Sequence, residues 1–255
     1  MISAKKCSKK KQKIVDTRQH VWDSANTHGN NKLPNMRTKL LAAAAILAAG
    51  VASSVAQNVY SLNVVGYVNK AFVGNGFTAA ANPLNGTNNS LNSIMAGSQV
   101  PDGTLVFLWD AAAQDFSATL PTYVASSGTW VPNATLDPGT GVFVFAPVAF
   151  TNTFVGEVKQ GQTTVPIPSN FGLIASPPPL SGTANVVLAQ LPATDGDLAF
   201  KWDTAAQDFG GIATFTASSG TWVPDVQFEP AEGILLFHNG AAVNWVRNYT
   251  VPATP

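Results

Sequence analysis

The stretch Trp109-Asp110-Ala111-Ala112-Ala113-Gln114-Asp115-Phe116, followed by Ala125-Ser126-Ser127-Gly128-Thr129-Trp130-Val131-Pro132, is spelled twice in this chain. The second copy is Trp202-Asp203-Thr204-Ala205-Ala206-Gln207-Asp208-Phe209, followed by Ala217-Ser218-Ser219-Gly220-Thr221-Trp222-Val223-Pro224. A repeat is read before any other feature, because a repeated stretch marks a repeated structural unit. Trp109 and Trp202 are 93 residues apart, and Trp130 and Trp222 are 92 apart. The period therefore matches one small domain.

Working outward from the motif, the flanking sequence reads as short strands between turn residues. Thr104–Asp110 and Asp197–Asp203 alternate, and each follows an Asp-Gly turn. Leu105, Phe107 and Trp109, with Leu198, Phe200 and Trp202, form the side that stays bulky and apolar in both copies. That side is expected to be the core face, with Trp109 and Trp202 buried. The loops Ala111–Gln114 and Thr204–Gln207 turn the chain back as hairpins. Gly141–Ala146 and Gly233–His238 are the last internal strands. Val59–Asn69 opens the mature chain, and similar strands recur at Thr153–Lys159 and Trp245–Val251. The middle one is expected to close the first unit and open the second. Leu91–Met95 and Ala184–Leu188 read as short helices capped by Ser90 and Thr183. Long helical periods are missing. The fold class expected is all-β: two tandem β-sandwich-like repeats of about 90 residues.

The N-terminal part differs in kind. Residues 1–35 are basic and polar, with no apolar period, and are expected to form a disordered extension. Residues 36–56 carry a charged start, Met36-Arg37-Thr38-Lys39, an apolar run from Leu40 to Val51, and small residues at Ser54-Val55-Ala56. This is the pattern of a secretory signal peptide, and the run is shorter than the roughly 20 residues of a membrane span. An internal signal is explained most simply by translation starting at Met36. The rival readings are a long n-region of the signal or a cytoplasmic basic tail on a membrane anchor, and a basic tail also suggests nucleic-acid binding. The units are then 57–154 and 155–255, with no membrane span in the mature protein.

Ten of the fourteen Lys and Arg lie in residues 1–56. The remainder keeps four against twelve Asp and Glu, a formal balance of −8 that argues against a nucleic-acid partner. Cys7 is the sole cysteine and His238 the sole histidine after residue 56. Most zinc sites, Ser-His-Asp triads and Cys-His dyads are thereby excluded.

The mature start VYSLNVVGYVN, the ANPLNGTNN loop, PDGTLVFLWD, PGTGVFVFA, TFVGEV and NWVRNYTV resemble a family of exported, uncharacterised bacterial two-repeat β proteins. The likeness spans nearly all of residues 57–251. It implies secretion, duplication and β-architecture, and it brings no catalytic residue with it.

The candidate sites are few. Asp110 with Asp115, and Asp203 with Asp208, bracket the hairpin loops. Paired carboxylates serve glycosidases, but Asp at loop ends more often accepts from turn N–H groups. Asp195-Gly196-Asp197 is short of the ligands a calcium loop needs. His238 ends a strand and reads as a hydrogen-bonded strand-end residue. Trp130 and Trp222 precede Val-Pro in turn-rich segments, where an exposed indole would stack on a sugar ring and an inward one would plug the end of its own sandwich, donating its N–H to a carbonyl. They are the possible ligand-binding residues; no catalytic, cofactor or metal residue is assigned. The sequence thus favours a secreted or cell-surface, non-enzymatic structural or adhesive protein, with extracellular polysaccharide or cell-surface components as partners. The alternatives are a carbohydrate-binding protein and a secreted hydrolase.

Overall fold

Each half of the repeat-bearing chain builds one main sheet and one long two-stranded ribbon, in the same order, and the second half adds a short ribbon of its own. The computed structural model describes residues 64–252. The expectations for residues 1–56, the extension and the signal peptide, lie outside the described residues. What is described is all-β, with seventeen strands and two single-turn helices.

In the first half, β1 (Val65–Phe72) pairs antiparallel with β8 (Phe150–Glu157). The main sheet runs β2 (Gly76–Ala81), β7 (Gly141–Ala146), β3 (Leu105–Asp110), β5 (Thr122–Val124), β6 (Thr129–Val131), with β4 (Asp115–Phe116) also on β3. In the second half, β9 (Gly161–Ile167) pairs with β17 (Val243–Tyr249). Its main sheet runs β10 (Asn170–Ile174), β16 (Ile234–His238), β12 (Leu198–Asp203), β13 (Asp208–Thr216), β14 (Thr221–Val223). A small ribbon joins β11 (Gly182–Thr183) to β15 (Gln227–Phe228).

Two sequence expectations are corrected here. The middle strand does not serve both halves: β8 pairs along its whole length with β1, and a separate strand, β9, opens the second half. The boundary expected between residues 154 and 155 falls inside β8, so the change-over lies in residues 158–160. The sequence similarity of the two segments hid this, because β9 (GQTTVPI) does not resemble β1.

The expected core face is also corrected. Val106 and Ala199 are fully buried, whereas Phe107, Trp109, Phe200 and Trp202 are half-buried. Val106 packs with Leu91, Met95, Trp130 and Leu136 in the core of its half, and Ala199 with Val187, Leu188, Trp222 and Phe228 in the other. The small residues thus face the core, because a helix and a large indole approach there. The bulky face turns the other way. Phe107, Trp109 and Phe143 of one sheet meet Leu173, Trp202, Phe209 and Leu235 of the other. Both faces of each main sheet are covered, so alternation alone did not say which was which.

The helices are Leu91–Ile94 and Ala184–Val187. Ser90 and Thr183 stand at their N-cap positions, but neither side chain caps the helix. Distant side chains do so instead: Asn92 N donates to Asn133 Oδ1 at 3.0 Å and Asn185 N to Asp225 Oδ1 at 3.1 Å.

Candidate functional site: an aromatic cleft on a mirrored seam

The repeated motif builds the seam between the halves. Asp110 Oδ1 accepts from Ala112 N and Ala113 N, and Asp203 Oδ1 from Ala205 N and Ala206 N. These bonds tighten each loop, and the loop ends on Gln114 and Gln207 at positive φ, 54° and 55°. That turn aims each glutamine at the opposite half. Gln114 Nε2 donates to Phe171 O at 2.9 Å, and Gln114 Oε1 accepts from Phe171 N at 2.8 Å. Gln207 Nε2 donates to Phe77 O at 2.9 Å, and Gln207 Oε1 accepts from Phe77 N at 2.6 Å. The side-chain amide thus takes the place of a neighbouring strand on the outer strands β2 and β10. Covering such an edge removes a template for unwanted pairing.

The indoles join in. Trp109 Nε1 donates to Phe171 O and Trp202 Nε1 to Phe77 O, each at 3.0 Å. The backbone repeats the pattern, with Ala81 N donating to Ala231 O at 3.1 Å and Ala175 N to Gly139 O at 2.9 Å. Gly141 and Gly233 let the halves touch: a Cβ would lie 2.6 Å from Ile174 O at the first and 2.9 Å from Ala80 O at the second. Each of these hydrogen bonds and glycine contacts has its partner with the halves exchanged, the mark of an isologous interface.

A cleft of about 360 Å³ opens on this seam. Phe77, Phe107, Trp109, Phe116 and Phe143 line it from the first half, and Trp202, Phe209 and Leu235 from the second. The rings meet edge to face: Trp109–Phe116 at 5.2 Å and 90°, Trp202–Phe209 at 5.2 Å and 82°, Phe143–Trp202 at 5.0 Å and 81°. Phe77 and Phe116 are each 36% exposed at the rim. The side-chain N–H groups in the lining are the two indoles, and both already donate to carbonyls.

Trp130 and Trp222 do not form a ligand site. They are 2% and 4% exposed, which overturns the sugar-stacking reading and agrees with the inward one. Trp130 Nε1 donates to Met95 O, and its backbone N to Asn92 Oδ1. Trp222 N donates to Asn185 Oδ1 and its carbonyl accepts from Asn185 Nδ2. Each indole plugs the core of its own half, packed on Tyr123 or Phe215 at 5.4 Å. Each Trp sits mid-strand, in β6 or β14, with the following Val pointing out, so the alternation turns the indole inward before the Pro ends the strand.

The ionisable groups are tied into the chain. His238 is buried; its Nδ1 lies 2.7 Å from Asp197 Oδ2 and its Nε2 3.0 Å from Ala241 O. Burial on its own would raise the Asp197 carboxyl. Bonds from Asn239 N, His238 and both Thr194 donors outweigh it and hold the group below the usual carboxylate range. Burial pushes Glu232 up, against a hydrogen bond from Glu229 N and the charges of Lys201 and Lys70. Burial likewise lowers Lys70. Shifted pairs of this kind invite an acid–base reading. The hollow lined by Glu232 has only about 10 Å³ of free space, room for a single water and no substrate. Ser176 Oγ, also in its lining, is buried without a hydrogen-bond partner. Arg247 donates to Val186, Val187 and Ala189 carbonyls at the end of the second helix. Among the described residues, no group of three or more His, Cys, Asp or Glu is placed to hold a metal, and no helix is long and apolar enough to cross a membrane.

Sequence reasoning missed the cleft because it needs residues of both halves. The signal was present: the bulky face of β3 and β12 persists in both copies. No protein-family model, curated protein or solved structure matches the chain.

Proposed function

We infer that this is an exported, non-enzymatic structural or adhesive protein of the cell surface or extracellular material. It is read as two tandem β-sandwich-like units, 57–157 and 161–255, carried behind a signal peptide at 36–56. The observation that supports the reading is the use made of the repeated motif. In both copies its Asp, Gln and Trp side chains bond to the chain itself, and so join the two units. His238, the residue type most suited to acid–base work near neutral pH, is buried with both ring nitrogens beside acceptors. A carbohydrate-binding role has no comparable support. Trp130 and Trp222 are buried, and the cleft offers no free donor or acceptor side chain for sugar hydroxyls.

The test is expression from a bacterial host, followed by cell fractionation and N-terminal sequencing. The reading expects extracellular or surface-bound protein beginning at Gln57, and no turnover on a broad panel of hydrolase substrates. Cytoplasmic retention with residues 1–35 intact, or saturable turnover by the purified protein, would overturn it.

A further inference from the structure

The two halves line the cleft unequally, with five side chains from the first and three from the second, and one exchanged position says what fits it. Trp109 corresponds to Trp202, Phe116 to Phe209, and Phe143 to Leu235. Phe143 fills its side of the cleft: its ring lies 5.0 Å from Trp202 and 6.3 Å from Phe209, at 81° and 82° to them. On the mirrored side, Leu235 offers no ring to Trp109, while Phe116 already meets Phe143 at 6.0 Å and 79°. The missing group is a phenyl ring set edge to face against Trp109, the counterpart of the Phe143–Trp202 pair.

We propose that this cleft is a binding site for an uncharged aromatic molecule, of one or two rings, that takes the place of the absent ring at position 235. Three observations select that class. The lining is entirely apolar side chains apart from two indole N–H groups, and both donate to carbonyls at 3.0 Å, so a ligand that needs hydrogen bonds loses them on entry. The chain after residue 56 has a formal balance of −8, which disfavours anions, and none of the lining residues is acidic to attract a cation. Aromatic pairs gain more than their buried area alone when they meet edge to face, and Phe143 shows that geometry on the other side. The volume, about 360 Å³, sits at the small end of ligand pockets, which run roughly 300–1,000 Å³. A missing ring in an apolar setting leaves a space that takes benzene-sized molecules. The proposal goes beyond the structural reading above and does not depend on it.

The experiment uses the full chain, labelled in its Leu methyl groups, with ethylbenzene and naphthalene as probes and hexane as the aliphatic comparison. Binding at the cleft predicts a saturable, one-site change in the Leu235 methyl shifts, of the size that a ring placed against them produces. Hexane should bind at least ten-fold more weakly. Leu235→Phe supplies the missing ring and should weaken aryl binding at least ten-fold while keeping the unfolding midpoint. If that variant does not fold, the wild-type shift data decide alone. Absence of a saturable Leu235 shift, equal affinity for hexane, or undiminished binding in a folded Leu235→Phe protein would each overturn the proposal. So would concentration-dependent self-association that buries the same methyls and excludes the probes, since the occupant would then be a second copy of the chain.

Discussion

The two halves agree where they face each other and differ where they do not. At the seam, Trp109 and Gln114 do to Phe171 what Trp202 and Gln207 do to Phe77. Away from it, the copies diverge. The second half has one long strand, β13, where the first has β4 and β5 separated by a segment that includes Pro121. Pro cannot donate to a ladder, so the first half breaks its pairing there. Asp197 and His238 form a buried pair where the first half has Thr104 and Ala146. On the ribbons the buried side chains differ: β8 buries Phe150 and Asn152, and β17 buries Trp245 and Arg247. The lesson is that the large side chains repeated in both copies serve either the inner core of their own half or the other half, while the repeated Asp residues hold their own turns. The Trp-Val-Pro segments serve the first purpose and the Trp-Asp-loop-Gln segments the second.

The sharpest way to break this division is to remove one indole of each kind. Trp130→Ala and Trp222→Ala should each cost about 3–5 kcal/mol, as for large aromatics deleted from a packed core, measured by urea denaturation. Trp109→Ala and Trp202→Ala should cost less, because these rings are half-buried. Equal losses at all four positions would erase the distinction.

A smaller effect is expected from the seam glycines. Gly141→Ala and Gly233→Ala push a methyl against Ile174 O and Ala80 O of the opposite half. Each should destabilise by about 1–3 kcal/mol, the usual range for overpacking. Because the two contacts are mirrored, the two variants should behave alike in thermal unfolding. A large loss in one and none in the other would show that the seam is not symmetric in energy.

The smallest effect separates the halves by pH. The Asp197 carboxyl is held low in the folded state, so its stabilisation is present above the ordinary carboxylate range, near 3.9, and is lost as pH falls through the lower folded value. Glu232 is raised, so its contribution has the opposite sign: present below about 4.3 and lost as pH rises through the folded value. Both residues lie in the second half. Hydrogen exchange followed from pH 5 downward should show the Thr194–Asp197 turn and Asn239 loosening before the matching turn around Thr104. Asp197→Asn should remove that acid-side change, and Glu232→Gln should remove the opposing one.

Much of the fold was legible in the sequence, and the reason is local. Asp-Gly turns, alternating strands and the repeated loop each carry their geometry in adjacent residues. Asp110 and Asp203 accept from loop N–H groups as their position suggested. What could not be read depended on distant partners. The bulky face of β3 resembles a core face because it meets apolar surface, but that surface belongs to the other half. Trp130 sits beside a Pro turn, yet Asn92 and Met95, more than thirty residues earlier, draw it inward. Helix capping fell to Asn133 and Asp225 rather than to the neighbouring Ser90 and Thr183, for the same reason.

The central claim, that the repeated motif binds each half to the other, is tested most directly by scalar couplings across the hydrogen bonds. In the isotopically labelled full chain, Trp109 Nε1 should couple to the carbonyl carbon of Phe171, and Trp202 Nε1 to that of Phe77, with both indole protons protected from exchange. Gln114→Ala should weaken the first coupling and leave the second, and Gln207→Ala the reverse. Two indole protons that exchange like free indole, with no coupling to either carbonyl, would contradict the account.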